Sequence, residues 1–439
     1  MNIILLSGGS GKRLWPLSND IRSKQFIKIF KREDGAYESM VQRMYRQIKS
    51  VDSLSKITIA TSKTQVSALN NQLGNNISVS VEPCRRDTFP AIALATAYLH
   101  DILNVSENEA VVVCPVDPFV NKDYFEAIYD LWELTQSEVS NLVLMGIKPE
   151  YPSEKYGYII PVSKNTVSKV DNFKEKPDTV TAEKYIVQGA LWNSGVFAYK
   201  LKYVLNISKK MLGTSDYYEL FSDYSKFKKI SFDYAVAEKE KDISVMRFSG
   251  QWKDLGTWDA LCEAMEESAI GSGILNEKCE NTHVLNELNI PIICVGLKDI
   301  VVSASQDGIL VLNKEMSSNI KSLVDKMDQE IRFAEKSWGD YRVLDVSERT
   351  MTVKIIVNPN QRMSYHSHEL RNEVWTIMSG KGRTIVDGME QRVKPGDVIT
   401  IQAGCRHTVV ADDNVLEIVE VQIGKEISVT DKQKFELEL

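Results

Sequence analysis

The sequence predicts a three-part α/β protein. It comprises a doubly wound, Rossmann-like domain over residues 1–268, a short β-rich connector with a linker helix over 269–333, and an all-β barrel over 334–439. Three observations carry this prediction. Up to about Glu267, short β-branched runs alternate with longer helical patterns, as in β-α-β units wound around a mostly parallel sheet. From Gly271 to about Val324, short apolar runs are separated by Asn, Asp and Gly, with no long amphipathic helix. From Ser337 to Glu420, short strand-like runs alternate with tight turns.

In the first part, Asn2–Leu6 is a continuous apolar run entering glycines, as a buried parallel strand feeding a ligand loop would be. Ser39–Ile48 reads as a helix and Lys56–Ala60 as a second strand. Pro90–Leu103 reads as a helix with proline in its first turn. A strand at Ala110–Cys114 ends at Pro115 and Asp117, followed by a helix at Asp123–Glu138 and a strand at Leu142–Ile147. Ligands of such sheets bind outside the carboxyl ends of the strands, where the glycine loop and Asp117 fall. In the connector, Val284–Leu285, Ile290–Leu297, Ile300–Val302 and Ile309–Leu312 predict short strands with a coil-like winding, and Ser317–Phe333 a polar helix. In the last part, Thr352–Val357, Val374–Met378, Arg383–Val386, Asp397–Ile401 and Leu416–Val421 predict strands. Asp387-Gly388 and Pro395-Gly396 mark turns.

Composition narrows the function. The 439 residues are 43% hydrophobic and 26% charged, with a net charge of −7. That charge argues against a nucleic-acid partner and leaves room for a local basic pocket that binds phosphate. No apolar stretch is long enough to cross a bilayer, and Ile3–Leu6 is too short for a signal peptide core. Cys84, Cys114, Cys262, Cys279, Cys294 and Cys405 show no CxxC spacing. They read as reduced thiols of a cytoplasmic protein.

The most informative stretch runs from Leu6 to Ser18. Gly8, Gly9 and Gly11 let backbone N–H groups approach an anion, and Lys12 and Arg13 add charge. It is not a P-loop, because Lys12 is followed by Arg13. Nor is it a dinucleotide fingerprint, because Leu14 stands at the third glycine. The glycines alone fit a phosphate loop or a plain turn after a strand. Together with Lys24-Gln25-Phe26, however, the segment resembles the signature of mannose-1-phosphate guanylyltransferases, within the sugar nucleotidyltransferases. The resemblance continues in order through Glu82-Pro83, Arg86, Thr88, Pro90–Leu94, Asp117, Tyr156-Gly157-Tyr158, Glu175-Lys176-Pro177, Trp192–Phe197, Phe232–Val236 and Trp252–Trp258.

That resemblance implies nucleotidyl transfer from an NTP, with GTP first, to a sugar 1-phosphate, with mannose 1-phosphate first. It implies that Arg13 and Lys24 grip the triphosphate and that Lys176 holds the sugar phosphate. Asp117 and Asp254 would hold Mg²⁺, a hard ion suited to carboxylates and phosphates. Leu6, Gly8, Gly9, Gly11, Lys12, Glu82, Arg86 and Asp87 would line the nucleotide, and Gly157, Glu175 and Asn193 the sugar. Asp87 departs from the family's Asn, Phe89 from its small Ala and Pro118 from its His. An Asn-to-Asp exchange swaps a donor for an acceptor, which keeps a different base, such as that of CTP, open.

The barrel carries His366-x-His368 followed by Glu373, Gly380, Gly396, Gly404 and His407. This resembles the two cupin motifs, with Asn360 for the first glycine and Gln402 for the usual proline. Residues i and i+2 of a strand share a face, so the two histidines point together. Three imidazoles and a carboxylate suit Zn²⁺, Fe²⁺, Mn²⁺ or Co²⁺. In the bifunctional guanylyltransferases this domain is a type II mannose-6-phosphate isomerase. Ser337-Trp338-Gly339-x-Tyr341 and Arg371-x-Glu373-x-Trp375 resemble it. His366 replaces the family's Gln, and the tail Lys434–Leu439 lacks its arginine-bearing RFED-YGR element. The resemblance thus leaves open an isomerase or a non-catalytic metal- or sugar-binding module, and it implies a homodimer through the connector.

Overall fold

The computed structural model describes residues 1–9, 12–19, 21–327, 330–427 and 431–437. The chain forms two compact units. The first takes residues 1–11, 23–66 and 76–266, and the second residues 12–22, 67–75 and 267–439. The predicted connector and barrel thus fall in one unit, together with two short pieces of the N-terminal sequence.

The first unit is built on nine strands: β1 (Asn2–Leu6), β2 (Lys56–Ser62), β3 (Ser78–Glu82), β4 (Ala110–Pro115), β5 (Leu142–Ile147), β6 (Tyr158–Pro161), β7 (Val167–Lys174), β8 (Leu191–Lys200) and β9 (Ile243–Phe248). They lie in the order β3-β2-β1-β4-β8-β5-β9-β7-β6. The pairs β3–β2, β2–β1, β1–β4 and β5–β9 are parallel. The sheet is more mixed than expected, because β8 runs antiparallel to both β4 and β5. Every residue of β5 is buried, which accounts for its unbroken apolar run.

Local chemistry sets the helices. Ser39 and Gln42 form a capping box at the start of Met40–Val51, satisfying two of the N–H groups a helix start leaves open. The helix expected at Pro90–Leu103 begins two residues earlier, at Thr88, and its last turn, Tyr98–Ile102, widens to π geometry. Every residue from Phe89 to Ala97 is buried, so this helix is apolar all round and shows no amphipathic period. It fills one face of the main core with Tyr199, Phe232 and Val245.

In the second unit, Ala269–Ile270, His283–Asn286 and Ile300–Ser305 pair in parallel, and Gly308–Asn313 closes their sheet antiparallel. Gly273–Leu275 and Ile292–Cys294 form a second parallel pair. Strands separated by a dozen or more residues yet paired in parallel are what a coil-like winding produces. The helix expected over Ser317–Phe333 is a correction. Among the described residues of this stretch only Ile320–Val324 is α-helical, after a 3-10 segment at Lys314–Asn319, and Phe333 begins a strand. Ser317-Ser318-Asn319 favour side-chain bonds to nearby backbone over helix continuation.

The C-terminal part consists of a six-stranded sheet, Phe333–Lys336 to Gly339–Val346 to Thr350–Val357 to Leu416–Gly424 to Arg371–Ser379 to Val398–Ile401. It also has a five-stranded sheet, Met389–Val393 to Gly382–Val386 to His407–Ala411 to His366–His368 to Lys432–Lys434. Alternate residues of Thr350–Val357 and Leu416–Gly424 turn inward onto a core that includes Val353, Ile355, Trp375 and Ile418. The Asp387-Gly388 hairpin has φ of 47° and 80°, as the expected tight turn requires. No disulfide joins the six cysteines. Among the described residues, no helix is long and apolar enough to cross a membrane.

Candidate active site and candidate metal centre

In the first unit the candidate residues gather at the carboxyl ends of the strands. β1 ends at Leu6 opposite Pro115 of β4, so the glycine loop and Asp117 leave the sheet side by side. The loop is tied down through its carbonyls. Ser7 O accepts from Gln25 Nε2 and Thr61 Oγ1, both at 3.1 Å, and Gly9 O accepts from Ser23 Oγ (3.0 Å) and Gln65 Nε2 (3.1 Å). A Cβ added at Gly8 or Gly9 would meet nothing within 4 Å, and Gly9 has φ of 115°. The loop therefore presents open backbone to whatever binds above it. Gly11 lies outside the described residues. Arg13 is exposed on the 3-10 turn Lys12–Leu14 of the second unit, where Lys12 Nζ pairs with Asp325 Oδ1 at 3.1 Å.

The 3-10 turn Lys24–Phe26 buries Gln25 and Phe26 and so turns Lys24 the other way. Its Nζ lies 2.7 Å from Asp117 Oδ2 and 3.8 Å from Asp254 Oδ1. Strand pairing brings the two carboxylates together. Trp252–Asp254 runs antiparallel to Pro118–Val120 with Asp254 opposite Pro118, next to Asp117. Burial would raise the Asp117 pKa, but the Lys24 ammonium outweighs it and holds the carboxyl below its ordinary value. Two carboxylates closing on one cation make a donor set that fits a hard divalent ion.

Beside them opens a cavity of about 230 Å³, whose lining includes Asp117, Tyr156, Gly157, Glu175, Asn193 and Asp233. Asn193 N donates to Gly157 O (2.8 Å), and Asn193 Nδ2 donates to Asp233 Oδ1 (2.7 Å). A Cβ on Gly157 would collide with the Glu175 carboxylate, so only glycine allows this approach. Glu175 Oε1 pairs with Lys176 Nζ at 2.8 Å, while its Oε2 is buried without a hydrogen-bond partner. An unpartnered buried carboxylate oxygen is costly, and a ligand hydroxyl would satisfy it. Lys176 holds a positive φ of 46°, unusual for a non-glycine residue and common at ligand sites. Burial first, and Glu175 second, push the Asp233 carboxyl up to about 7.

The remaining nucleotide candidates sit apart from this pocket. Glu82, at the end of β3, accepts from Tyr224 Oη (2.7 Å), and Arg86 Nε donates to Ser225 O (3.1 Å). Asp87 is exposed, with φ of 71°, and caps the Thr88–Ala97 helix through Thr88 N (2.8 Å). Phe89 lies fully in the core, so that departure is absorbed by packing. Two cavity residues escape a reading of the sequence. Asp233 is part of the Phe232–Val236 element but has no charged neighbour in sequence to mark it. Tyr156 packs tilted against Trp192 and edge-on against Trp252, with centroids at 4.7 and 5.7 Å, and is visible only as the first residue of Tyr-Gly-Tyr.

With this geometry, the comparison that decides the family is a match of the nucleotidyl transferase family profile to residues 2–269. The chain belongs to the nucleotidyl transferase family. The mannose-6-phosphate isomerase C-terminal profile matches residues 325–437. Among relatives, the chain is 28% identical to a mannose-1-phosphate guanylyltransferase of Salmonella montevideo, covering 98% of each chain. It is also 28% identical to the xanthan biosynthesis protein XanB of Xanthomonas campestris pv. campestris, over 99% of this chain and 97% of that one. Among solved structures, one from Thermus thermophilus, described as a mannose-1-phosphate geranyltransferase, matches with a TM-score of 0.63 and 25% identity. That match covers 75% of this chain and 99% of the other.

The barrel of this nucleotidyl transferase holds a second cluster. His366, His368 and His407 are buried, and their ligand atoms lie within 4.8 Å of one another. Each Nδ1 is taken by a backbone carbonyl: Ser364 O at 2.6 Å, Asp431 O at 3.0 Å and Cys405 O at 2.9 Å. That fixes the proton on Nδ1 and leaves each Nε2 a lone pair. Glu373 faces two of them, at 3.3 Å from His368 Nε2 and 3.2 Å from His407 Nε2. His407 Nε2 is buried without a hydrogen-bond partner. Burial pushes His366 down to about 2 and His368 to about 4, so both are neutral at pH 7. Lone pairs set against a carboxylate call for a cation, and the donor set fits a transition metal. Arg371 supplies part of that charge, its Nη2 lying 3.0 Å from His368 Nε2 and its Nε 3.3 Å from Glu373 Oε1.

Proposed function

We propose that the chain transfers GMP from GTP to mannose 1-phosphate, giving GDP-mannose and pyrophosphate. The observation that carries this is Lys24 held between Asp117 and Asp254 beside a cavity whose Glu175 oxygen lacks a donor. A phosphate oxygen of the sugar phosphate attacks the α-phosphorus. The new P–O bond forms as the bond to the β-phosphate breaks, and pyrophosphate leaves with the electron pair. The nucleophile is already anionic, so the demand is for positioning and positive charge. Lys24 grips the triphosphate beside the open backbone of Gly8 and Gly9, and Lys176 holds the sugar phosphate. Glu175, Asn193 and the Gly157 backbone take sugar hydroxyls. Asp117 and Asp254 would hold Mg²⁺, which supplies charge neutralisation at the phosphates.

Pyrophosphate release measured across four NTPs and a panel of sugar 1-phosphates tests the assignment. Turnover with GTP and mannose 1-phosphate should exceed every other pair. Turnover with CTP or UTP and none with GTP would overturn the guanylyl reading.

For the barrel, the proposal is isomerisation between mannose 6-phosphate and fructose 6-phosphate. His366, His368, Glu373 and His407 would hold a divalent ion that polarises a carbonyl when bound. Fructose 6-phosphate formation, absent in His368→Ala, tests it. A homodimer through the connector fits its exposed apolar side chains, among them Ile274, Ile293, Val295, Ile309 and Val311. Light scattering after gel filtration measures that mass.

A further inference from the structure

The two carboxylates that close on Lys24 are carried by a ribbon that stands apart from the main sheet. Trp252–Asp254 and Pro118–Val120 pair with each other over three residues and form a sheet of two strands. So short a ribbon does not hold its own shape in water, and Pro118, opposite Asp254, brings no N–H to the ladder. Asp254 ends one strand, and Asp117 immediately precedes the other. Any slip of the ribbon therefore changes the separation of the carboxylates. Mg²⁺ needs near-octahedral ligands at about 2 Å and tolerates such a change poorly.

Contacts from outside must fix the ribbon. On one strand, Trp252 meets Tyr156 edge-on and Lys253 pairs with Glu263. On the other, the grip comes from Arg43. Its Nη2 donates to Val120 O at 2.9 Å, and its guanidinium carbon lies 5.2 Å from the Phe119 ring centroid and 5.5 Å from that of Phe30. The two rings stack, with centroids 5.6 Å apart and planes 20° from parallel. Phe30 is buried on the strand Lys28–Lys31. Arg43 stands in the helix Met40–Val51, which is anchored by its capping box and by buried Met40, Val41, Met44 and Ile48. The neighbouring Arg46 takes the Glu38 carboxylate, at 3.0 and 2.7 Å. Among the described residues, Arg43 has no carboxylate partner. Its half-buried guanidinium is committed instead to one carbonyl and two rings. A planar fork so placed has a fixed direction, and a cation–π contact strengthens as water is removed from it.

We propose that Arg43 is a positioning residue for nucleotidyl transfer. By gripping Phe119 and Val120 it holds the ribbon where Asp117 and Asp254 stand at the spacing Mg²⁺ requires. It acts through the ribbon rather than on the ion. The proposal rests on the reading of Asp117 and Asp254 as the Mg²⁺ ligands, and it assigns part of the metal affinity to a residue outside the site.

Titration of the full chain with Mn²⁺, free ion being read by electron paramagnetic resonance, tests it. All variants carry His407→Ala, which withdraws a donor from the barrel cluster, so that Mn²⁺ reports the transferase carboxylates. Arg43→Met should weaken Mn²⁺ about tenfold, the order expected when one hydrogen bond and one cation–π contact are lost. Phe119→Leu, which keeps an apolar side chain and removes the ring, should move it the same way. Arg43→Lys, which keeps a cation and a donor, should recover most of the affinity. In turnover, Arg43→Met should raise the Mg²⁺ needed for half-maximal rate by a similar factor. Its rate should recover at high Mg²⁺, and its KM for mannose 1-phosphate should not change. Parental Mn²⁺ affinity in both Arg43→Met and Phe119→Leu would overturn the positioning role, even if their urea midpoints fell, because that is the mark of a purely structural contact. Asp254→Asn separates the two readings. Parental Mn²⁺ affinity in that variant would remove the carboxylates as ligands, and the proposal with them. Lost affinity there, with Arg43→Met unchanged, would leave the ligands standing and overturn Arg43 alone.

Discussion

Asp233→Asn isolates the electrostatic tension in the sugar cavity. Asp233 sits against Glu175, accepts a 2.7 Å bond from Asn193 Nδ2, and has its carboxyl raised from 3.8 to about 7 by burial and by Glu175. A carboxyl raised on folding binds its proton more tightly in the folded chain. Its contribution to stability is therefore complete below about pH 4 and is lost as pH climbs through 7. A gap of about 3 pH units at roughly 1.4 kcal/mol each sets a ceiling near 4 kcal/mol. Partial solvent access lowers the expected value to about 1–3 kcal/mol. Asparagine keeps an acceptor for Asn193 and cannot ionise. The variant should match wild type near pH 4.5 and gain on it as pH rises, levelling off above about pH 8. Urea midpoints of wild type and variant, compared from pH 4.5 to 9, read this directly. Parallel profiles across that range would refute the assigned cause, because the raised carboxyl would then carry no folding free energy. The same substitution should weaken sugar-phosphate turnover, since a cavity that tolerates such strain is one kept for a ligand.

Lys24→Met should lower kcat for nucleotidyl transfer by roughly 10²–10³, the usual loss for one pre-positioned charge. Metal uptake by the barrel, read by atomic absorption, should not change. Gly157→Ala drives a Cβ into the Glu175 carboxylate. It should raise KM for the sugar phosphate more than KM for the NTP and lower stability by about 1–3 kcal/mol, measured by steady-state kinetics and urea midpoint. His407→Ala removes the lone pair that faces Glu373. Bound transition metal per chain should fall, with loss of transferase activity not expected.

Periodicity and turn chemistry make the alternation of strands and helices legible, and the barrel strands with them. What escapes has physical causes. The Ser78–Glu82 strand does alternate Ser and Val, but it is short and its buried residues are the polar Ser80 and Glu82, so its pattern marks the wrong face as the inner one. The antiparallel course of β8 depends on the whole sheet, because Leu191–Lys200 is apolar enough to sit between two neighbours in either direction. The linker helix is over-read because charged residues at helical spacing over Lys321–Arg332 mimic an exposed helix face. Motif order finds Lys24, Asp117 and Asp254, but the reason they meet is the register of Trp252–Asp254 on Pro118–Val120. Nothing in either segment announces that pairing.

The same logic explains why the second cluster is easier to read than the first. His366 and His368 sit two apart on one strand, and His407 is placed opposite His366 by a single bridge. Three of the ligands are thus fixed by local period and one pairing. The transferase residues come instead from a loop after β1, a turn at 24–26, the end of β4 and an antiparallel strand more than 130 residues later. Such a site exists only once the sheet has formed, so its cooperativity should be that of the fold. A variant that loosens the Trp252–Asp254 pairing should therefore lose Mg²⁺-dependent turnover before it unfolds. The barrel histidines, fixed by their own carbonyl bonds, should keep their metal through the same perturbation. Trp252→Gly, assayed for both in parallel, would show the two failing together if the centres were not independently built.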